Sequence, residues 1–207
     1  MLAGSSLRGK AEPRLMIGNH DKRDVFVEHF HETPTDPNGF IQYVDETELG
    51  HFIYLDTVID GKHPGEYCAR RQEWLRDMLK NAQEKSQAAW LFMHHNPAKV
   101  HIPNADQYNI LNEEDLRAIL ADYRDTIRHM FFGHCHYSLS GSMMGIPFSA
   151  PRSTSHPCWP EFSGDPKKAG YGPLDRNYNV CFLSKSDVIV HTIDFEKDDQ
   201  ILWYHDE

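Results

Sequence analysis

Fourteen of the 207 residues are histidine, and the informative ones stand in three short clusters. These are Gly18-Asn19-His20-Asp21, Phe92-Met93-His94-His95-Asn96-Pro97 and Gly133-His134-Cys135-His136. Imidazole nitrogen and amide oxygen are suitable ligands for borderline divalent metals such as zinc, iron, manganese or nickel. A His-x-His pair on a turn aims two imidazoles at one centre or at two adjacent ones. The glycines before Asn19 and His134 let the backbone bend sharply toward an ion. Singly, each cluster is weak, because a histidine pair is more often structural than ligating. Three of them, each following a β-like run, point to a metal centre.

The elements that must position these clusters come next. α/β folds place ligands at strand ends, and Arg14–Ile17, Ala88–Met93 and Thr126–Phe132 read as strands that run into the clusters. Val25, Phe26 and Phe30 have helical spacing. Ile41–Val44 and Phe52–Leu55 read as a hairpin around a polar segment containing Gly50. Arg70–Ala82 puts Trp74, Leu75, Met78, Leu79 and Ala82 on one stripe, which predicts an amphipathic helix. Asn112 is placed to cap a further helix whose first turn carries Glu113, Glu114 and Asp115, with Leu116, Ile119, Leu120 and Tyr123 on its apolar face. This alternation predicts a layered α/β fold. Beyond Tyr137, Ser138–Phe148 reads as a hairpin turning through Gly141 to Gly145, and Trp159–Asp175 as a long exposed loop. Asn179–Ser184 and Val188–Phe195 read as strands joined by a tight Lys185-Ser186-Asp187 turn. Residues 196–207 read as an acidic tail whose Ile201-Leu202-Trp203-Tyr204 patch can dock on the body.

Composition narrows the function classes. Asp and Glu total 31 against 21 Lys and Arg, a formal charge of −10. That balance argues against salt-sensitive binding of a nucleic-acid polymer, but a metal can invert the local field for a small anionic substrate. The 40% hydrophobic and 12% aromatic content suits a packed core rather than disorder. No apolar run approaches the ~18 residues of a membrane span, and Met1–Lys10 lacks the apolar region of a secretory signal. Cys68, Cys135, Cys158 and Cys181 are widely spaced with no C-x-x-C, so they read as free thiols and the expected location is cytoplasmic. No G-x-S-x-G is present, which disfavours a serine hydrolase.

In this order the clusters resemble the calcineurin-like metallophosphoesterase superfamily, whose pattern runs D-x-H, G-D, G-N-H-D/E, H and G-H-x-H. Here G-N-H-D is Gly18 to Asp21, the single His is His94 and G-H-x-H is Gly133 to His136. The resemblance extends from about Leu15 to His191. It is closest to the class III cyclic-nucleotide phosphodiesterase group and its glycerophosphodiesterase relatives. The residues that carry this are Asp56-Thr57, Gly65–Leu79 with Gln72-x-Trp74-Leu75, His94-His95, Gly133–Ser138, Gly145-Ile146-Pro147 and Thr154–Cys158.

The resemblance implies a four-layer α-β-β-α sandwich of two mixed sheets around a binuclear centre of iron, manganese or zinc type. Asn19, His94 and His134 would bind the second metal and His136 the first. His20 would stay unligated and protonate the leaving alkoxide or stabilise phosphate charge. The implied reaction is hydrolysis of a cyclic nucleotide or small phosphodiester by in-line attack of a metal-bridging hydroxide. Asp21 would orient His20 or its loop. His95 would support a ligand or face substrate, with a purely structural role as the alternative. His156 falls where relatives close the substrate pocket. Arg152 can pair with a phosphate oxygen, though a surface role is the commoner one, and His101 and His191 can also approach. His29, His31, His51, His63, His129 and His205 read as bystanders, and Cys135 and Tyr137 as packing residues. The expected partners are a small phosphodiester and a second copy of the chain in a homodimer, with no nucleic-acid polymer and no membrane.

The chain also departs from the pattern. The 17 residues before Gly18 contain no Asp and no His, so the D-x-H and G-D motifs are absent and His136 lacks its co-ligands. The retained ligands serve mainly one ion, and all three are neutral. The expectation is a metallophosphoesterase domain over residues 1–195, N-terminally incomplete, with the acidic tail after it. The missing segment would supply central strands, and at roughly 25 cal/mol per Å2 their loss should exceed a domain's net stability. An incomplete chain is the favoured explanation, with little or no turnover expected of it. The alternative is a non-catalytic remnant or binding protein that keeps the second half of the fold.

Overall fold

Two of the β-like runs that precede the histidine clusters, those leading to His94 and to His134, align side by side. The computed structural model describes residues 12–196. In chain order it contains α1 (Arg23–His29), β1 (Tyr43–Thr47), β2 (Gly50–Leu55), α2 (Ala69–Glu84), β3 (Ala89–Met93), α3 (Glu113–Asp122), β4 (Ile127–Phe131), β5 (Leu139–Met143), β6 (Ile146–Ala150), β7 (Asn177–Leu183) and β8 (Val188–Asp194). Six strands form a mixed sheet in the order β1-β2-β3-β4-β6-β5. Strands β2, β3, β4 and β6 are parallel, and β1 and β5 are antiparallel edges. A second, antiparallel sheet consists of β7 and β8. The architecture is a layered α/β fold with one large mixed sheet and one small antiparallel sheet.

Strand periodicity decides what each face of the large sheet packs against. Ile53, Leu55, Leu91, Met93 and Met130 join Leu75, Leu79 and Ala82 of α2 and Leu116, Ile119 and Leu120 of α3 in one core. The helices form because those residues recur every three to four positions, giving an apolar stripe. The alternate residues make an aromatic row on the other face. Tyr43 stacks on Tyr54 at 4.6 Å, Tyr54 on Phe92 at 5.0 Å and Phe92 on Phe131 at 4.9 Å. Such cross-strand aromatic pairs lock register, since a one-residue slip would turn each ring to the wrong face. Because β2, β3 and β4 run parallel, their C-terminal ends open on one edge of the sheet. Asp56-Thr57, His94-His95 and Gly133-His134 therefore emerge side by side.

Several local expectations are revised. Arg14–Ile17 joins no sheet among the described residues; Ile17 is instead buried against Phe26, Ile41 and Val58. Of the α1 apolar residues only Phe26 is buried, and Val25 and Phe30 are exposed. Asn112 stands at the α3 N-cap position but makes no side-chain cap bond. Its amide instead accepts from the Tyr67 N–H at 2.9 Å and donates to the Tyr67 carbonyl at 2.8 Å, which ties the 56–68 loop to α3. Gly141 lies inside β5 opposite Phe148, and the turn falls on Met144 and Gly145, both with positive φ. The four cysteines are unpaired. No helix among the described residues is long and apolar enough to cross a membrane. The tail patch Ile201–Tyr204 lies outside the described residues.

Candidate metal centre

Three electron-pair donors meet beyond the ends of β3 and β4. The Nε2 of His94 is 2.8 Å from the Asn19 Oδ1 and 3.2 Å from the His134 Nδ1. The His134 Nε2 lies 3.0 Å from the Tyr108 carbonyl, to which it donates its proton. Its Nδ1 therefore presents a lone pair. The Asn19 oxygen also offers only lone pairs. At most one proton can lie between these three atoms. A ligating histidine that gives its second N–H to a backbone carbonyl is the arrangement metal sites use to fix tautomer and ring orientation. Metal–nitrogen bonds of about 2.0–2.1 Å place two donors of one ion roughly 3 Å apart. The spacing and chemistry of the trio fit a borderline divalent ion.

The backbone around the trio is built for close approach. His134 and His136 both have left-handed φ, at 64° and 59°, so the segment turns after β4 without a glycine at either position. The Gly133 N–H donates to the His94 carbonyl at 3.0 Å, which joins the two strand ends. A Cβ on Gly18 would lie 3.1 Å from the His94 ring, so a side chain there would crowd that ring. The Gly18 N–H is bound by the Asp21 carboxylate at 2.8 Å, closing the 18–21 turn on itself.

Burial keeps the cluster neutral. It pushes the His94 pKa down to about 2, helped by like charge on His95, His134, His136 and His20. It pushes His134 down to about 3 and His95 to about 4, and lowers His136 as well. Neutral imidazole is the form that ligates. Cys135, between two of these histidines, is buried with its thiol directed at the Gly133 carbonyl, and burial lifts its pKa to about 12. It is a packing residue, as expected.

His95 groups with His94 and His134, all with ligand atoms within 4.8 Å of one another. Both its ring nitrogens are already engaged, however. The Thr57 hydroxyl is 2.7 Å from Nδ1 and the His63 carbonyl 3.0 Å from Nε2. Its ring packs 4.9 Å from His94 and 4.5 Å from His134. That places it as a support behind the donors.

The other sequence candidates lie at the mouth. A cleft of about 380 Å3 is lined by Asn19, His63, Tyr108, His134, His136 and His156, among others. The His136 ring meets His156 at 4.2 Å. His20 is exposed, with its ring 5.6 Å from His63. The remaining candidates lie elsewhere. Arg152 is ion-paired with Asp194 of β8, which engages its guanidinium. His191 packs edge-on against Phe182 of the small sheet, and His101 lines a separate hollow with Leu139 and Met144.

The contacts of two residues were not legible in advance. His63, read as a bystander, touches both Asn19 and His95. Asp56 is fully buried. It binds Arg23 through both oxygens, at 2.7 and 2.8 Å, and receives the Ile41 N–H at 3.0 Å and the Val58 N–H at 3.0 Å. Arg23 opens α1 directly after the 18–21 turn, so this buried pair fixes that turn to the end of β2.

No family model matches the chain. A probable cyclic nucleotide phosphodiesterase of Rhodopseudomonas palustris is 30% identical over 208 residues, covering 98% of this chain and 74% of the relative. A cAMP/cGMP dual specificity phosphodiesterase of Mycobacterium tuberculosis is 29% identical over 162 residues, covering 72% of this chain and 48% of the relative. The 3′,5′-cyclic adenosine monophosphate phosphodiesterase of Escherichia coli K12 is 25% identical over 137 residues, covering 66% and 48%. The chain thus spans about half the length of the last two relatives. Among solved structures, a dimetal phosphatase from Danio rerio superposes with a TM-score of 0.59 over 86% of this chain and 68% of that one, at 12% identity. At that identity the likeness concerns the fold.

Proposed function

Because this chain belongs to the calcineurin-like metallophosphoesterase superfamily, among the cyclic nucleotide phosphodiesterases, we propose that it hydrolyses a small phosphodiester, with a cyclic nucleotide as the first candidate. The observation that carries this reading is the convergence of the Asn19 Oδ1, His94 Nε2 and His134 Nδ1 beside an open cleft. Asn19, His94 and His134 would hold a divalent ion, which when bound would supply Lewis-acid polarisation of a phosphoryl oxygen and offset the substrate's charge. His94 and His134 bind in the neutral form that burial enforces.

His20 stands exposed at the mouth, on the turn that also carries Asn19. From there its imidazole would donate a proton to the leaving oxygen as a water oxygen bonds to phosphorus and the ester P–O bond breaks. Asp21 keeps that turn closed through the Gly18 N–H. His136 and His156 flank the cleft, where His156 would face the substrate and His136 would be the one retained ligand of a second ion. His95 stays out of the reaction and holds the donors in place.

The test uses the purified chain with manganese, zinc or iron(II), assayed on 3′,5′-cyclic AMP and on bis(p-nitrophenyl) phosphate. With ligands mainly for one ion, turnover is expected to be slow, and hydrolysis of either substrate that depends on added metal and is lost on chelation and in His134→Ala is the expected result. Cleavage of the aryl diester alone would keep the phosphodiesterase and remove the cyclic nucleotide. Activity that persists in His134→Ala or under chelation would overturn the reading.

A further inference from the structure

We infer that His63, on the loop between β2 and α2, is a positioning residue that sets the orientation of both the Asn19 carboxamide and the His95 ring. The inference rests on the reading of Asn19, His94 and His134 as an ion site, and adds the residue that arranges it.

Asn19 must present oxygen, and not its NH2 group, to the converging donors. Its two amide ends differ only in hydrogen-bond character, so something outside the trio has to choose between them. The His63 Nδ1 lies 3.2 Å from the Asn19 Nδ2. The NH2 group can only donate, so the His63 nitrogen accepts. With the NH2 held there, the Oδ1 is left facing the His94 Nε2 at 2.8 Å. A flipped carboxamide would lose the bond to His63 and turn two N–H groups toward a cation.

The main chain of the same residue performs a second selection. The His63 carbonyl takes the His95 Nε2 proton at 3.0 Å. The His95 Nδ1 is then the bare nitrogen, and it accepts the Thr57 hydroxyl proton at 2.7 Å. One tautomer and one ring plane result, and that ring packs against His94 and His134. The loop can reach this position only because residue 65 is glycine. A Cβ there would stand 2.7 Å from the His95 ring and 2.8 Å from the Thr57 carbonyl. The loop's far side is held by the Gly65 N–H to the Asn109 carbonyl at 3.0 Å and by the Leu111 N–H to the Gly65 carbonyl at 2.8 Å. His63 thus closes a ring of contacts through Asn19, His94, His134 and His95.

The test compares wild type, His63→Ala and His63→Asn by calorimetric titration with manganese or zinc alone, with thermal unfolding of each metal-free protein as the control. His63 is exposed, so all three should unfold at matching midpoints. His63→Ala keeps the carbonyl and removes the Nδ1, and should bind the ion roughly tenfold more weakly, at the low end of what partners of metal ligands contribute. His63→Asn restores an acceptor oxygen at the same distance from Cβ, and should recover wild-type affinity. Equal affinity of wild type and His63→Ala, or failure of His63→Asn to recover, would overturn this inference and leave the ion site standing. A wild-type chain that binds neither ion would overturn both together.

Discussion

The donors on the two sides of the histidine cluster are held by different kinds of structure. Asn19 and His134 are fixed by hydrogen bonds to His63 and to the Tyr108 carbonyl, and His94 packs against Gly18 and the supporting ring of His95. All of these lead back to the ends of parallel strands or to loops tied to them. His136 leans instead on His156, which is exposed on the 151–176 segment, and His20 is exposed at the tip of its turn. The first group is preorganised and the second is left free to adjust. Precise geometry comes from rigid elements and their outer partners, while residues that must follow a changing substrate can sit on loops.

The largest expected effect comes from removing a donor on the preorganised side. His94→Ala or His134→Ala should weaken ion binding by more than about 100-fold, beyond what outer partners alone contribute. Titration calorimetry checks this, and a smaller loss would erase the contrast. Gly65→Ala should come next. Its Cβ would collide with the His95 ring and the Thr57 carbonyl, at a cost of roughly 1–3 kcal/mol in stability. Denaturant unfolding gives that number, and ion affinity should fall alongside it. Thr57→Val keeps the shape and removes the hydroxyl that satisfies the His95 Nδ1. It should weaken ion binding roughly tenfold.

Acid sharpens the same contrast. The folded-state values of about 2 for His94, 3 for His134 and 4 for His95 lie below the ordinary histidine value of 6.5. The unfolded chain therefore binds more protons at mildly acidic pH. The stability these neutral rings contribute is complete above pH ~6.5 and is lost as the pH falls toward the folded values, by on the order of 1 kcal/mol per ring and pH unit. The metal-free unfolding midpoint should drop steeply between about pH 6 and pH 4.5. A flat profile would contradict buried, neutral donors. The smallest effect is expected for His136→Ala, which should leave affinity for the ion on Asn19, His94 and His134 unchanged while activity falls.

The strand-to-cluster logic was readable for His94 and His134 because their apolar runs end where the ligands begin and strand direction then does the rest, whereas Arg14–Ile17 before Asn19 joins neither sheet. The helix of α2 was readable because its stripe recurs over four turns. The supports were not. His63 lies 44 positions from Asn19 in a loop without periodicity, and its role depends on a contact that only the packed sheet creates. Arg152 looked free to meet a phosphate because nothing local signals that Asp194, 42 residues on, takes its guanidinium. Asn112 had the residue type of a cap, but tertiary contact with Tyr67 outcompeted the local bond. Short-range pattern locates chemistry, and long-range contact decides which polar groups remain available for it.

The most direct measurement is a crystal structure of the chain grown with manganese or zinc, read by anomalous scattering at the metal edge. An ion between the Asn19 Oδ1, the His94 Nε2 and the His134 Nδ1, with His95 still bonded to Thr57, is the result expected. An ion ligated by His95, or bound without Asn19 and His134, would contradict it.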